Sequence, residues 1–277
     1  MSLTSDLAGL GGLARRTRLR ALGYSTHAIR QLVTSGGARP VRRSWLATPS
    51  ADALAVRAVE LGGVLGGETA LRSLGVWVSH EGGLCVVAPP TASRLPPTAA
   101  GEYRLHPHDF VWPDGWRTDA VAALAVHTRR VVAVHAIASI DSALHIGALL
   151  PQQVDAFFAR LPRRYRALGR LIDDRCESGI ESILRVAALL EGWQVDVQVQ
   201  ISRIGRVDLL INGWLIIEAD GDYWHSSRAQ RAADRARDAA AVKLGLRSHR
   251  FGHEQIMHDL AGCLDVIRGY LLAGPPR

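Results

Sequence analysis

The chain has 277 residues, about twice the length of a typical single domain, so we expect two or three compact units. Its formal net charge of +7 and pI near 10.0 favour a polyanionic partner. No uncharged run reaches the roughly eighteen residues of a membrane span, no signal-peptide pattern opens the chain, and the 3 cysteines lack zinc-site spacing. The expectation is a reduced, cytoplasmic protein without membrane contact, whose oligomeric state stays open.

The first region, residues 1–78, has the pattern of a helix-turn-helix followed by a short basic hairpin. The segment "GLARRTRLRALG" spaces its leucines as a helix does and stops at a glycine. Those leucines are Leu13, Leu19 and Leu22. A second helix follows, with Ser25 or Thr26 as its N-cap and two glycines at its exit. Next, "ARPVRRSWLAT" predicts two short strands, and further helices are expected near 51–62 and 67–75.

Two interpretations of this first region stay open. It is either an ordinary helical subdomain with a solvated basic surface or a winged-helix DNA-binding domain. In the second case, the outward face of the second helix meets DNA and the hairpin arginines reach phosphates. The expected DNA contacts are then His27, Arg30, Gln31, Arg39, Arg42 and Arg43.

The rest of the chain divides into a middle and a C-terminal region. Residues 79–165 are predicted to be a helical and linker region, in which Pro151 suits a helix start. Residues 166–277 read as helix, three strands, helix, strand and helix, which implies a mixed sheet flanked by helices. The expected fold class is α/β (α+β).

An acidic cluster is predicted where two strands of the third region meet. Asp208 lies between apolar residues in a buried-type strand, where a charge is costly unless it is paired or bound to a metal. Glu218 and Asp220 end the next strand, which runs antiparallel through the turn Asn212-Gly213. Such carboxylates hold Mg²⁺ or Mn²⁺, which neutralises a scissile phosphate and polarises the attacking water. His225 is then a candidate to take the proton from that water.

The length of the loop at Asn212-Gly213 decides which acids converge. A two-residue loop pairs residue 208 with 217 and turns Glu218 to the opposite face, so that the carbonyl of Ala219 becomes the ligand beside Asp208. A three-residue loop pairs residue 208 with 218 and brings both carboxylates to one face. The sequence leaves both registers open.

Three more acids near this cluster have structural explanations. Glu181 is the third helical residue after Ser178, as in a capping box, and cap and metal-site roles are equally open. Asp234 and Asp238 lie one helical turn apart beside Arg237. We expect this group to form a salt-bridged exposed face that supports the site.

In these residues and their spacing, the third region resembles the very-short-patch-repair-like branch of the PD-(D/E)XK nuclease superfamily, including its poorly characterised bacterial members. The resemblance covers about 100 residues, from Ser178 to the C-terminus. Its motifs are the helix acid Glu181, Asp208 after a valine, "DGDYWH" after the third strand, and "DRARD" followed by a glycine.

The resemblance implies a restriction-endonuclease-like sheet in which Glu181, Asp208 and a group within 218–220 surround Mg²⁺, with His225 as the base. It also implies that Tyr223 and Trp224 wedge between or stack on DNA bases. The chain departs from the family because Asp220 stands where the superfamily has a lysine and where the repair enzymes tend to have a histidine. It also lacks a counterpart of the zinc-binding residues of the repair enzymes.

The N-terminal 165 residues resemble the AbiEi-type antitoxin region of abortive-infection systems, a winged helix with a helical extension. The segments "LRALGYSTHAIRQLVTSGGARPVRRSWLAT", "ETALRSLGVW" and "AIASIDSALHIGAL" carry this looser resemblance. The combined expectation is a Mg²⁺-dependent DNA endonuclease or nickase with a winged-helix tether and a role related to defence or toxin-antitoxin systems. The alternatives are a non-catalytic DNA-binding regulator or antitoxin with a degenerate nuclease fold, and a nuclease for RNA or branched DNA.

Overall fold

The computed structural model describes residues 2–42, 44–80, 82–108, 111–220 and 237–276. The fold is mixed α+β, as expected from the sequence. Two compact units form, one from Met1–Gly75 with His80–Arg129 and the other from Val76–Ser79 with Arg130–Arg277. The expected middle region, 79–165, is therefore divided between the two units. Across the described ranges, none of the helices is both long and apolar enough to cross a membrane.

The N-terminal part of the first unit combines three helices with a small antiparallel sheet. The helices are α1 (Leu3–Gly9), α2 (Arg16–Ala21) and α3 (Thr26–Thr34), and the strands are β1 (Leu13–Arg15), β2 (Arg39–Val41) and β3 (Trp45–Ala47). Ser25 caps α3, since its hydroxyl accepts a hydrogen bond from the Ala28 N–H at 3.1 Å. Leu19, Ile29 and Leu46 pack in the core between helices and sheet. The predicted helix pair and hairpin are thus confirmed as elements.

One part of this prediction is wrong, because Leu13 lies in a strand and the helix begins only at Arg16. The sheet has the order β1-β3-β2, with Leu13 opposite Ala47 and Arg15 opposite Trp45. Pairing with a strand more than thirty residues away outweighs the local helical spacing of the leucines.

The remainder of the first unit contains three helices and a second small sheet. The helices are α4 (Ala53–Glu60), α5 (Gly67–Ser73) and α6 (Ala120–Thr128), and the strands are β4 (Val64–Leu65), β5 (Leu84–Val87) and β6 (Glu102–Leu105). The sheet order is β4-β5-β6, with an antiparallel and a parallel pair. The two helices predicted near 51–62 and 67–75 are confirmed as α4 and α5, whereas β5 and β6 lie in a stretch that was expected to be helical and linker.

The second unit consists of a four-stranded mixed sheet flanked by helices. Its strands are β7 (Val195–Ile201), β8 (Gly205–Ile211), β9 (Leu215–Asp220) and β10 (Arg247–Gly252), in the order β10-β9-β8-β7. Its helices are α7 (Ala133–His145), α8 (Val154–Ala159), α9 (Gly179–Leu190), α10 (237–243), α11 (His253–His258) and α12 (Leu260–Ala273). Two 3-10 segments, Pro151–Gln153 and Arg163–Leu171, flank α8. The predicted mixed sheet is confirmed, because β10 runs parallel to β9 while the other pairs are antiparallel.

Apolar residues cover both faces of this sheet. One face packs Leu209, Ile211 and Ile217 against α9 and α12, and the other packs Val207 and Ile216 against α10. The polar side chains within β8 and β9, such as Asp208 and Glu218, therefore border buried apolar surface, where water screens their charges poorly.

Candidate functional site

The register of β8 and β9 brings Asp208 level with Glu218. Ile211 pairs with Leu215, which leaves residues 212–214 in the loop, and Leu209 pairs with Ile217. One further step along the same register sets position 208 opposite 218. The structure thus adopts the three-residue loop, the second of the two registers that the sequence left open.

Asp208 is a partly buried carboxylate with acidic neighbours. Its Oδ2 accepts a hydrogen bond from the Ala219 N–H at 3.0 Å, and its Oδ1 makes no hydrogen bond with any residue that the structure describes. Burial raises its pKa to about 6; the hydrogen bond opposes the rise, and Glu181, Glu218 and Glu177 add to it. No guanidinium or ammonium group pairs with Asp208 among the described residues. This is the environment of a carboxylate that gains free energy from a cation.

Glu218 is held between two arginines. Its Oε1 lies 2.8 Å from Arg237 Nη2 of α10, and its Oε2 lies 2.6 Å from Arg250 Nε of β10. Only 16% of the Glu218 side chain is exposed, so both ion pairs lie in a poorly screened region. Both carboxylate oxygens of Glu218 therefore have cationic partners, whereas those of Asp208 have none within the described ranges.

Glu181 is buried at the N-terminus of α9, with 5% exposure. Its N–H donates to Ser178 Oγ at 3.3 Å, which is one half of the predicted capping box. Its Oε2 accepts from the N–H of Glu177 at 3.0 Å and from Gln198 Nε2 at 2.9 Å. The carboxylate thus bonds to Glu177, the residue before the N-cap Ser178, and not to the cap itself. It also bonds to Gln198 of β7.

Gln198 was not singled out by the sequence. Its backbone has a positive φ of 53°, and the β7–β8 pairing skips position 198 between Val197 and Val199. This local irregularity turns its side chain toward Glu181. A glutamine in an alternating strand has no pattern that distinguishes this role from surface exposure.

The group around Arg237 is more than an exposed salt-bridged face. Besides Glu218, Arg237 donates to the carbonyl of Arg206 at 3.0 Å, and Arg206 pairs with Glu177 at 2.7 Å. Asp238 accepts from Ser248 Oγ at 3.1 Å. The described partner of Asp238 is therefore a hydroxyl group of β10, while Arg237 joins α10 to the edge of the acid cluster.

A buried ion pair lies one helical turn beyond Glu181 on α9. Arg185 Nη2 lies 2.7 Å from Asp141 Oδ2 of α7 and also donates to the carbonyl of Leu171 at 2.6 Å. The Asp173 N–H donates to Asp141 Oδ1 at 2.9 Å. These contacts join α7, the end of the second 3-10 segment and the helix that carries Glu181. Neither partner was predicted, because the two positions lie 44 residues apart in the chain.

The candidate DNA contacts of the first unit divide into two groups. His27, Arg30 and Gln31 are exposed on α3, as predicted. Arg39 and Arg42 are also exposed, but both turn toward the end of α4. Arg39 lies 3.6 Å from the carboxylate of Glu60, and Arg42 donates to its carbonyl at 3.1 Å.

Several predicted site residues lie outside the described part of the chain. They are Arg43, Tyr223, Trp224, His225 and Asp234, and for Asp220 the backbone is described but the side chain is not. Within the described ranges, no three His, Cys, Asp or Glu side chains gather as a metal site. Asp208 nevertheless lies close enough to Glu181 and Glu218 for their charges to raise its pKa.

Asp208 is suited to bind a metal ion, whereas Glu218 is not. Asp208 offers a desolvated carboxylate oxygen that has no partner among the described residues, which suits a hard cation. Ala219, whose N–H bonds the other oxygen, also carries a backbone carbonyl that can bind a cation. Glu218 offers no unpaired oxygen, because Arg237 and Arg250 occupy both.

The fold and the site define a mixed α+β protein with a polar cluster on the central parts of the strands of a four-stranded sheet. Comparison of the sequence with protein-family models gives no match, and comparison with curated proteins gives none either.

Proposed function

We propose that this protein is a metal-dependent endonuclease or nickase that hydrolyses phosphodiester bonds of DNA at the Asp208 cluster. The observation that supports the proposal is the state of Asp208, which is desolvated, surrounded by carboxylates and paired with no described cation. Isolated charges of this kind are costly in a folded protein and concentrate at functional sites. A bound divalent cation removes that cost.

In this proposal Asp208, Asp220 and the carbonyl of Ala219 hold Mg²⁺ or Mn²⁺. When bound, the ion neutralises the scissile phosphate and polarises water. The Ala219 N–H fixes the orientation of the Asp208 carboxylate, and Gln198 does the same for Glu181. His225 takes the proton of the attacking water as the new bond to phosphorus forms and one ester P–O bond breaks.

Glu218 has a positioning role in the proposal rather than a ligand role. Its ion pairs bring Arg237 and Arg250 to the end of β9, and guanidinium groups there supply positive charge near a developing phosphate charge. They can thus compensate for the lysine that the superfamily has at position 220. Tyr223 and Trp224 follow this strand and are proposed to contact DNA bases.

The first unit is proposed to hold the DNA as a winged helix. The exposed His27, Arg30 and Gln31 on α3 support this role, as does the net charge of +7. Arg39, Arg42 and Arg43 are proposed phosphate contacts. For Arg39 and Arg42, contact with DNA competes with their described contacts to Glu60.

One observation favours a second candidate function, a non-catalytic DNA-binding regulator or antitoxin. Both oxygens of Glu218 are already neutralised by arginines, as expected for an acid that has become structural. This candidate keeps the DNA-binding role of the first unit and removes the reaction.

Incubation of the full chain with supercoiled plasmid tests the two candidates directly. The nuclease proposal expects nicking or linearisation that requires Mg²⁺ or Mn²⁺ and is abolished in Asp208→Ala. Asp196→Asn, an exposed acid on the neighbouring strand β7, is the matched control and keeps full activity. Plasmid that is bound but left intact by the wild type establishes the regulator, and degradation of RNA with DNA spared establishes an RNA nuclease.

A further inference from the structure

A cleft in the first unit has the composition of an anion site. It has a volume of about 380 Å³ and lies beside the β2–β3 turn. Arg15, Arg42, Ser44, Trp45 and Trp112 contribute to its walls, and no carboxylate is found among its described lining residues. A cavity of this size accommodates a small ligand or one group of a larger ligand.

Arg15 is the central group of this cleft. Its guanidinium lies 5.0 Å from the ring centroid of Trp45 and 5.9 Å from that of Trp112. Among the described residues it makes no ion pair or hydrogen bond, and its Nε is buried without a partner. Burial lowers the pKa of Arg15, and the charge of Asp114 opposes this effect. A half-buried arginine normally has several of its five donors satisfied, so this one lacks the partner that its position calls for.

Two further arginines add positive charge around the cleft. Arg42 has a positive φ of 50°, and its guanidinium passes over Gly62, where an added Cβ would lie 2.8 Å from Nη1. Arg104, which is not a lining residue, donates to the carbonyl of Pro96 and has a buried Nε without a partner among the described residues. Burial and then repulsion from Arg42 lower its pKa, and the charge of Glu102 opposes this effect. An anion near the exposed Arg42 and the partly buried Arg104 relieves the repulsion between their two guanidinium groups.

We propose that this cleft binds a phosphate group, either inorganic phosphate or a phosphate of the DNA backbone. The two indole rings hold the Arg15 guanidinium in place through cation–π contacts, so that little side-chain entropy is lost when it binds. A guanidinium fork matches two phosphate oxygens, and the Ser44 hydroxyl is a further donor in the cleft wall. Asp208 belongs to the other unit, so the cleft does not depend on cleavage chemistry.

Titration of the full chain, followed by tryptophan fluorescence, tests the proposal because Trp45 and Trp112 line the cleft. One arm uses potassium phosphate against potassium chloride at equal ionic strength, and the other uses a short duplex without divalent metal. Arg15→Gln is the test variant. Arg20→Gln, an exposed arginine of α2, is the control with the same charge change.

Saturable phosphate binding that weakens about 10- to 100-fold in Arg15→Gln and stays unchanged in Arg20→Gln supports a site for free phosphate. No phosphate response, combined with duplex affinity that falls about tenfold or more in Arg15→Gln alone, supports a site for a backbone phosphate. Equal behaviour of the two variants toward both ligands overturns the proposal. Arg15→Lys keeps the charge without the fork and should bind at an intermediate level, so it replaces Arg15→Gln if circular dichroism shows that Arg15→Gln is unfolded. Plasmid cleavage measured on the same variants separates a failure of this site from a failure of the nuclease.

Discussion

Asp141 and Asp208 are two carboxyl groups of the second unit that are both removed from water but differ in their partners. Burial raises the pKa of both. Asp141 is fully buried. It forms an ion pair with the Arg185 guanidinium at 2.7 Å and accepts a hydrogen bond from the Asp173 N–H at 2.9 Å. Asp208 is partly buried and has the Ala219 N–H on one oxygen and carboxylates in its surroundings.

The difference separates a structural acid from a candidate reactive one. The fold supplies arginines for Asp141 and, twice over, for Glu218, the neighbour of Asp208. A positive partner for Asp208 would cancel the charge that a metal ion needs, and the described residues provide none.

Removal of Arg185 should have the largest effect on stability. Arg185→Met leaves Asp141 buried without its cation and should lower the free energy of unfolding by about 3–5 kcal/mol in urea denaturation. The double variant Arg185→Met, Asp141→Leu removes both charges and should recover most of the loss. A single variant that loses less than about 1 kcal/mol would show that the pair is not a structural element.

Removal of Arg250 should have the next largest effect, since it leaves a mostly buried Glu218 with one cationic partner. Arg250→Gln should cost about 1.5–3 kcal/mol, and Arg237→Gln should cost less because Arg237 is 33% exposed. The same denaturation measurement orders the two variants. A larger loss of stability in Arg237→Gln than in Arg250→Gln would show that the α10 arginine forms the stronger ion pair with Glu218.

Replacement of Asp208 by asparagine should be stabilising without metal, in contrast to both losses above. The folded-state pKa of Asp208 is raised to about 6 from an ordinary value of 3.8, so the wild type loses stability as pH rises through this interval. Above about pH 6 the Asp208→Asn variant should exceed the wild type by on the order of 1 kcal/mol, after solvent screening is allowed for. Below about pH 4 the two proteins should be equal. Melting curves over this pH range check the prediction, and a variant that is less stable at neutral pH contradicts it.

The smallest effect is expected when arginines of the basic 3-10 segment Arg163–Leu171 are replaced and duplex binding is measured. The segment ends at Leu171, whose carbonyl accepts a hydrogen bond from Arg185. Arg163, Arg166 and Arg170 are exposed there. Their joint replacement by glutamine should weaken duplex binding a few-fold and reduce the salt slope by about 0.9 for each phosphate that these arginines neutralise. An equally charged control replaces the exposed Arg94, Arg203 and Lys243. Equal slopes for the two triple variants would exclude the segment as a phosphate-binding surface.

The sequence predicted best where one local signal decides the structure. The Asn212-Gly213 turn and the Ser178 cap fix their neighbours through backbone geometry, so β8, β9 and α9 were placed correctly. Leu13 was misplaced because a distant strand decides its conformation.

The partners of the acids depend on long-range packing, which a single sequence does not reveal. Arg250 reaches Glu218 only because β10 adds in parallel to β9, with positions 250 and 218 opposite each other. Gln198 reaches Glu181 through a local irregularity of β7. The acids themselves were visible as charges in apolar strands and helices, whereas the groups that neutralise them appear only in the fold.

Calorimetric titration with Mg²⁺ and Mn²⁺ tests most directly whether the Asp208 cluster is a metal site. We expect saturable binding by the wild type at neutral pH, weaker binding near pH 5 because Asp208 is then protonated, and a loss of binding in Asp208→Asn. Asp196→Asn should bind like the wild type. Binding that is equal in the wild type and Asp208→Asn, or absent from both, would show that Asp208 is not part of a metal site.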